Sequence, residues 1–101
     1  MPASIELHPL AEKELRKALH RYIRVGGLVP NRFKASFKIA TERVSNRPQS
    51  CSPHLIGTRI APIRKFPYWL VFIEKPHRIY VIAVMHSSRR PGYWRRRLPR
   101  P

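Results

Sequence analysis

Residues 68–85 read YWLVFIEKPHRIYVIAVM, and this stretch decides the fold. It holds two runs rich in β-branched and aromatic residues, Tyr68–Ile73 and Ile79–Met85, with the turn residues Lys75-Pro76-His77 between them. Such a pattern predicts a β-hairpin. Each run is apolar on both of its faces, so we expect the sheet that contains them to be covered on both sides.

Two helices are predicted before the hairpin. A short alternating strand, Ser4–His8, precedes the first helix, which Pro9 opens at a favoured first-turn position and Gly26-Gly27 ends. The second helix starts near Pro30, carries one apolar stripe and ends before Pro48. Joined by the Gly-Gly link, the two helices form an antiparallel pair whose apolar faces need a sheet to cover.

One further strand is predicted between the helices and the hairpin. It runs from Thr58 to Arg64 and contains Pro62, which favours a sheet edge or a bend at that point. The order is therefore β-α-α-β-β-β, an α+β fold in which a helical hairpin packs on a small, mainly antiparallel sheet. The helices can cover one face of this sheet, and the other face needs the C-terminal segment or a partner chain.

Length and composition limit the organisation of the chain. With 101 residues we expect one domain, residues 1–101, that includes a basic aromatic C-terminal segment, residues 86–101. No apolar run approaches the roughly 20 residues needed to cross a bilayer, and no signal-peptide pattern follows Met1. These features predict a cytoplasmic protein with no membrane partner. The single cysteine, Cys51, excludes an internal disulfide framework and is expected to be a free loop thiol.

The charge of the chain predicts a polyanionic partner. Lys and Arg number 21 and Asp and Glu number 5, so the formal charge is +16. Nucleic acid and an acidic protein are both compatible with this charge, and composition does not choose between them. A solvated basic surface is the simpler alternative. The candidate target-binding or nucleic-acid-binding residues are Arg59, Arg64, Lys65, Arg89, Arg90, Trp94, Arg95, Arg96 and Arg97.

Acid–base chemistry is a further possibility at the end of the last strand. His86 is followed at once by arginines and then by Tyr93, and such a group could move protons at a phosphodiester that the arginines hold. His86 and Tyr93 are therefore the candidate catalytic residues. A strand-end histidine that bonds the backbone is the simpler interpretation of His86, and one of Tyr93 and Trp94 is expected in the core. The remaining histidines lack metal-ligand spacing, so no metal is expected. No cofactor and no small-molecule substrate are expected either.

Four segments of the chain resemble a known family when they are taken in this order. They are residues 5–15 (IELHPLAEKEL), Gly57-Thr58-Arg59, Phe66-Pro67-Tyr68, and the stretch from Ala83 through His86 to Trp94. Together they resemble the RelE/ParE superfamily of bacterial type II toxins, also called plasmid-stabilisation proteins. The resemblance covers nearly the whole chain, and the β-α-α-β-β-β order agrees with the RelE-like fold of that superfamily.

This resemblance implies a small toxin that a cognate antitoxin neutralises by wrapping it with an acidic, partly disordered segment. RelE-type members cleave mRNA on the ribosome, and ParE-type members block DNA gyrase. The basic catalytic positions of the RelE type fall here on Ile60, Pro62, Trp69 and Ser87, and only Tyr93 matches well. The resemblance therefore favours the ParE-like branch.

We expect a ParE-like toxin that binds gyrase on DNA through the segment Arg89–Arg97 and through Arg59, Arg64 and Lys65. The alternative is a ribosome-dependent endoribonuclease in which His86 and Tyr93 move protons, and only under this alternative is the protein an enzyme. The residues that would then hold the scissile phosphate are Arg59, Arg64, Arg89 and Arg90. A third interpretation is an inactive relative that still binds an antitoxin.

Overall fold

The structure, a computed structural model, describes residues 2–99. Met1, Arg100 and Pro101 lie outside the described residues, and with them the last two positions of the predicted segment 86–101. The order of elements confirms the predicted α+β fold and adds a two-residue strand after the second helix. The elements are β1 (Ser4–Leu7), α1 (Pro9–Val25), α2 (Val29–Asn46), β2 (Ser52–Pro53), β3 (Arg59–Ile63), β4 (Tyr68–Lys75) and β5 (Arg78–His86).

Within residues 2–99, five strands form one mixed sheet in the order β1-β5-β4-β3-β2. β1 lies parallel to β5, and the other neighbouring strands are antiparallel. β4 and β5 form the predicted hairpin, with His77 in its turn at a φ of +59°. β2 pairs with Arg59 and Ile60 alone, so that Pro62 lies at an open edge of β3, where its missing N–H is tolerated.

A β-bulge in the hairpin determines which side chains share a face. Val71 of β4 pairs with Ala83, and the next residue, Phe72, pairs with Val81, so Ile82 is an extra residue in β5. As a result Ile82 and Ala83 both belong to the apolar cluster on the face opposite the helices.

The helical pair covers one face of the sheet. Ala11 and Ala18 of α1 are buried against it, and small side chains at these positions let the helix approach the strands closely. At one end of this layer four aromatic rings, Tyr22, Phe33, Phe66 and Tyr68, pack together with centroids 4.9 to 6.3 Å apart. Neither helix of the described residues is long and apolar enough to cross a membrane.

The C-terminal segment covers the other face of the sheet. Trp94 is fully buried against Val71, Ile82 and Ala83, and Leu98 packs at the border of the same cluster. The apolar strands predicted that both faces of the sheet are covered, by either the C-terminal segment or a partner chain on the second face. In the structure the C-terminal segment lies on that face. The C-terminal segment therefore covers the buried part of this face, while Trp69, Ile73 and Tyr80 stay partly exposed.

Local sequence signals fix the ends of α1. The Nδ1 atom of His8, the N-cap, accepts a hydrogen bond from the N–H of Leu10 at 3.0 Å, and Pro9 follows at the first helical position. At the other end Gly26 has a φ of +84°, a backbone conformation that other residues rarely adopt. These caps explain why both boundaries of α1 were predictable.

Candidate functional site

A basic cleft lies between α1 and the end of β5. Its volume is about 220 Å³, and the loop that follows β5 forms one of its walls. The cleft brings the two candidate catalytic residues together with cations from two parts of the chain. The lining residues are Glu14, Lys17, Ala18, Arg21, Tyr68, Val84, His86, Ser88, Arg89 and Tyr93.

Glu14 of α1 is the hydrogen-bonding centre at this cleft. Its carboxylate accepts a hydrogen bond from the Tyr93 hydroxyl at 2.6 Å and another from the Val84 N–H at 3.1 Å. Arg97 donates to both carboxylate oxygens, at 2.7 and 3.1 Å, and also to the Ile82 carbonyl. The Arg97 and Glu14 side chains are only 12% and 17% exposed. This network joins α1, β5 and the C-terminal segment.

Tyr93 is held by that network, with its hydroxyl proton directed at Glu14. Its hydroxyl donates to Glu14, and burial, together with this hydrogen bond, raises the pKa of the Tyr93 phenol above the ordinary tyrosine value. The Arg89 guanidinium carbon lies 3.9 Å from the centroid of the Tyr93 ring, in cation–π geometry. The side chain therefore acts as a support for Arg89 at the cleft.

His86 has a defined orientation at the end of β5. Its Nδ1 accepts a hydrogen bond from the Ser88 N–H at 3.0 Å and lies 2.7 Å from the Ser88 hydroxyl oxygen. Because Nδ1 is an acceptor, the neutral ring carries its proton on Nε2. The ring meets Tyr68 edge-on, with centroids 5.0 Å apart. These backbone and aromatic contacts match the simpler interpretation of His86 as a strand-end histidine.

The C-terminal arginines divide into exposed and buried members. The prediction that Trp94 belongs to a contact surface does not fit its position, because its ring is buried and cannot reach a partner. Arg97 is likewise committed to the ion pair with Glu14. The exposed members, which we call the tail arginines, are Arg89, Arg90, Arg95 and Arg96.

Arg59, Arg64 and Lys65 lie on or just after β3, and none of them joins the cleft. Arg59 pairs with Glu74 at 3.1 Å and donates to the Cys51 carbonyl at 2.8 Å. Arg64 lines a separate groove between α2 and β3, and Lys65 lies exposed in the β3–β4 turn. The predicted contact surface is therefore not one continuous site. Cys51 is a free thiol in the connection that precedes β2, as expected, and it is buried.

Sequence reasoning missed Lys17 and Arg21 of α1. These two exposed side chains line the cleft opposite Arg89, and they lie one helical turn apart. The helical spacing of the basic residues in α1 could have indicated them. However, basic residues on the outer side of a helix usually do no more than face solvent. Only the packing of α1 beside the end of β5 distinguishes these two from the others.

The chemistry open to this cleft is the binding of an anion. Lys17, Arg21 and Arg89 bring positive charge to its walls, while Glu14 is already paired with Arg97. Within residues 2–99, no three His, Cys, Asp or Glu side chains come together as metal ligands would. A phosphate or carboxylate group is the kind of ligand that these cations recognise.

Comparison with known proteins shows which protein family matches the chain. The family model described as "ParE toxin of type II toxin-antitoxin system, parDE" matches residues 5–91. A chain of a solved structure titled "Chromosomal ParDE TA system from P. aeruginosa" is similar in fold, with a TM-score of 0.66 and 14% sequence identity, over 83% of this chain and 95% of that one. A search of curated proteins gives no match. Trp94 and the arginines that follow it lie beyond the matched residues.

Proposed function

Because the chain belongs to the ParE toxin family of type II toxin–antitoxin systems, we propose that this toxin acts by binding and inhibiting DNA gyrase. The observation that carries the proposal is the match of the ParE family over residues 5–91, on a chain whose charge suits a protein–DNA machine. Since gyrase works on the bacterial chromosome, the proposal includes a cytoplasmic location.

The tail arginines are the proposed contact with gyrase on DNA. All four are exposed and lie within eight consecutive residues of the segment that covers the second sheet face. The buried Trp94 holds this segment on the sheet, so the arginines are presented from a fixed base rather than from a loose end. Guanidinium groups in such an array recognise carboxylates and phosphates through paired hydrogen bonds.

The family implies an antitoxin partner, and we propose that the antitoxin segment that wraps this toxin is acidic. Of the five glutamates in the chain, four are already paired with arginines at 3.2 Å or less, and the excess of cations remains uncompensated. An acidic segment would lower the repulsion among these cations when it binds. The exposed apolar side chains at the tip of the helical hairpin, Ile23, Val25 and Leu28, offer apolar contacts to the same segment.

One observation favours the second candidate function, a ribosome-dependent endoribonuclease. His86, Tyr93 and two arginines, Arg21 and Arg89, all line one cleft. The state of Tyr93 argues against it, since a phenol that donates to a carboxylate and has a raised pKa is a poor general base or acid at neutral pH. We therefore place gyrase first.

Purified toxin added to gyrase and relaxed plasmid tests the proposal. We expect supercoiling to be inhibited while a type I topoisomerase still relaxes the supercoiled form of the same plasmid, since this control separates gyrase inhibition from masking of the DNA. Cleavage of mRNA only when ribosomes are present would replace the proposal with the endoribonuclease. Harmless expression without an antitoxin, together with no effect in either assay, would leave the inactive antitoxin-binding relative.

A further inference from the structure

The outer face of α1 carries a continuous row of basic side chains. The members are spaced three, four, seven, eight and eleven residues from the first, which places them on one side of the helix. They surround a shallow surface depression that no other element enters. The row consists of Lys13, Arg16, Lys17, His20, Arg21 and Arg24.

Most of this row has no carboxylate to neutralise it. Arg16 pairs with Glu12 at 3.1 Å, and Glu14, the other acidic residue of α1, is taken by Arg97. Among the described residues, Lys17 and Arg21 form no ion pair with any carboxylate. The field of the row is therefore directed to solvent.

The row runs into the basic cleft. Lys17 and Arg21 belong both to the α1 face and to the cleft, whose opposite wall carries Arg89. From Lys13 to Arg24 the helix rises by about 16 Å, at about 1.5 Å per residue. Over that length duplex DNA presents about ten phosphates, counted on both strands. Since these phosphates are distributed around the duplex, several of them face the helix and lie within reach of the row.

We propose that the α1 face, together with the cleft, binds the phosphate backbone of duplex DNA without regard to sequence. This inference goes beyond gyrase inhibition, because it concerns the free toxin and DNA alone. The row supplies phosphate contacts, which position a duplex but do not read its bases.

Two features select duplex DNA over other polyanions. The ten aromatic side chains are buried or only partly exposed and none lines the α1 row, so the row offers no platform on which unpaired bases of single-stranded RNA could stack. A protein partner needs an apolar anchor at the centre of its interface, and an exposed apolar residue beside this row, Ile23, lies at its end, with no large apolar side chain exposed between Lys13 and Arg21. A rigid phosphate backbone requires neither feature.

The test is the salt dependence of binding to a fluorescent duplex of about 20 base pairs, measured by anisotropy from about 50 to 300 mM salt. The double variant Lys17→Gln with Arg21→Gln removes two phosphate contacts. We expect the slope of log K against log salt to fall in magnitude by about 2, and affinity at about 100 mM salt to weaken at least tenfold. Circular dichroism checks that the variant folds, which is expected because Gln is a good helix former at exposed positions.

The matched control is Lys34→Gln with Lys38→Gln, an exposed pair one turn apart on α2 that removes the same charge. It should change the slope by much less than the α1 pair. Equal effects of the two pairs would overturn the proposal in favour of diffuse attraction by net charge. Tighter binding to single-stranded RNA than to the duplex would overturn it as well, as would absence of duplex binding by the unmodified toxin.

Discussion

At the scale of single residues, the structure depends on a carboxylate that composition alone would assign to the surface. Glu14 stands in a basic, amphipathic helix, yet it accepts hydrogen bonds from three residues in two other parts of the chain, β5 and the C-terminal segment. An ion pair this well shielded becomes costly when one partner is removed, because the other is left uncompensated. Arg97 and Tyr93 are the groups that would lose their partner.

Replacing this carboxylate by an amide should therefore destabilise the toxin. For Glu14→Gln we expect a loss of about 2–4 kcal/mol in the free energy of unfolding, measured by urea denaturation. The control is Glu12→Gln on the same helix, whose pair with Arg16 is more than half exposed and should contribute no more than about 0.5 kcal/mol. Equal losses for the two variants would contradict the role given to Glu14.

The candidate site was only partly predictable from the sequence at the level of single residues. His86 and Tyr93 were chosen for their chemistry, and both do line the cleft, but the partners that define their states were not predictable. Glu14 lies 79 residues from Tyr93 in sequence and contacts it only because α1 packs beside β5. Trp94 was chosen as a contact residue for its position among arginines, and only the packing of the segment onto the sheet shows that it is buried.

At the scale of elements, the C-terminal segment serves as the second cover of the sheet. Gly92, at a φ of +80°, allows a tight turn, and the short 3₁₀ turn Arg95–Arg97 follows the buried ring of Trp94. The segment thus combines a buried apolar side with exposed arginines. Its shape is imposed by the sheet face that it covers.

Removal of the Trp94 ring should consequently destabilise the whole protein rather than only a contact surface. For Trp94→Ala we expect a loss of about 3–5 kcal/mol, seen as a large drop in the thermal unfolding midpoint. Arg96→Ala, two residues away and exposed, should change the midpoint little. Similar midpoints for both variants would mean that the segment is not part of the core.

The N-cap of α1 should make stability depend on pH. Burial, and secondly the charge of Arg97, lowers the pKa of His8, so the unfolded chain binds a proton more readily than the folded one. Stability from this group is therefore full above about pH 6.5 and falls as the pH drops below that value. Protonation would also remove the acceptor that caps the Leu10 N–H.

The variant His8→Asn tests this dependence, because Asn is a good N-cap that does not titrate. Urea midpoints of the unmodified toxin should fall more steeply between about pH 7.5 and pH 5.5 than those of the variant. Parallel pH profiles would show that His8 does not contribute.

The boundaries of the helices and strands were the most predictable feature of the molecule. Pro9, the Gly26-Gly27 pair and the Pro76-His77 turn are local signals, and each one lies at an observed boundary. The short strand β2 carried no such signal, because two residues give no periodicity. The sequence also did not predict which segment covers the second sheet face, because apolar strands indicate that a face must be covered but do not identify the segment that covers it.

At the scale of the whole molecule, two basic surfaces that meet at Arg89 stand out from the rest of the positive charge, part of which lies on α2. One is the α1 face with the cleft, proposed to bind duplex DNA, and the other is the set of tail arginines, proposed to contact gyrase. The two assignments share Arg89 but can be tested apart, since Lys17 and Arg21 can be changed without altering the tail arginines. Net charge could be counted from the sequence, but this division into surfaces required the fold.

The most direct test of the account is the toxin concentration that half-inhibits gyrase supercoiling, measured for the unmodified toxin and two variants. One variant has all four tail arginines replaced by Gln. The other removes the same charge from exposed positions on or next to α2, at Arg32, Lys34, Lys38 and Arg47. We expect the first variant to need at least tenfold more protein while the second inhibits like the unmodified toxin. Equal potency of the two variants, or no inhibition by the unmodified toxin, would contradict the account.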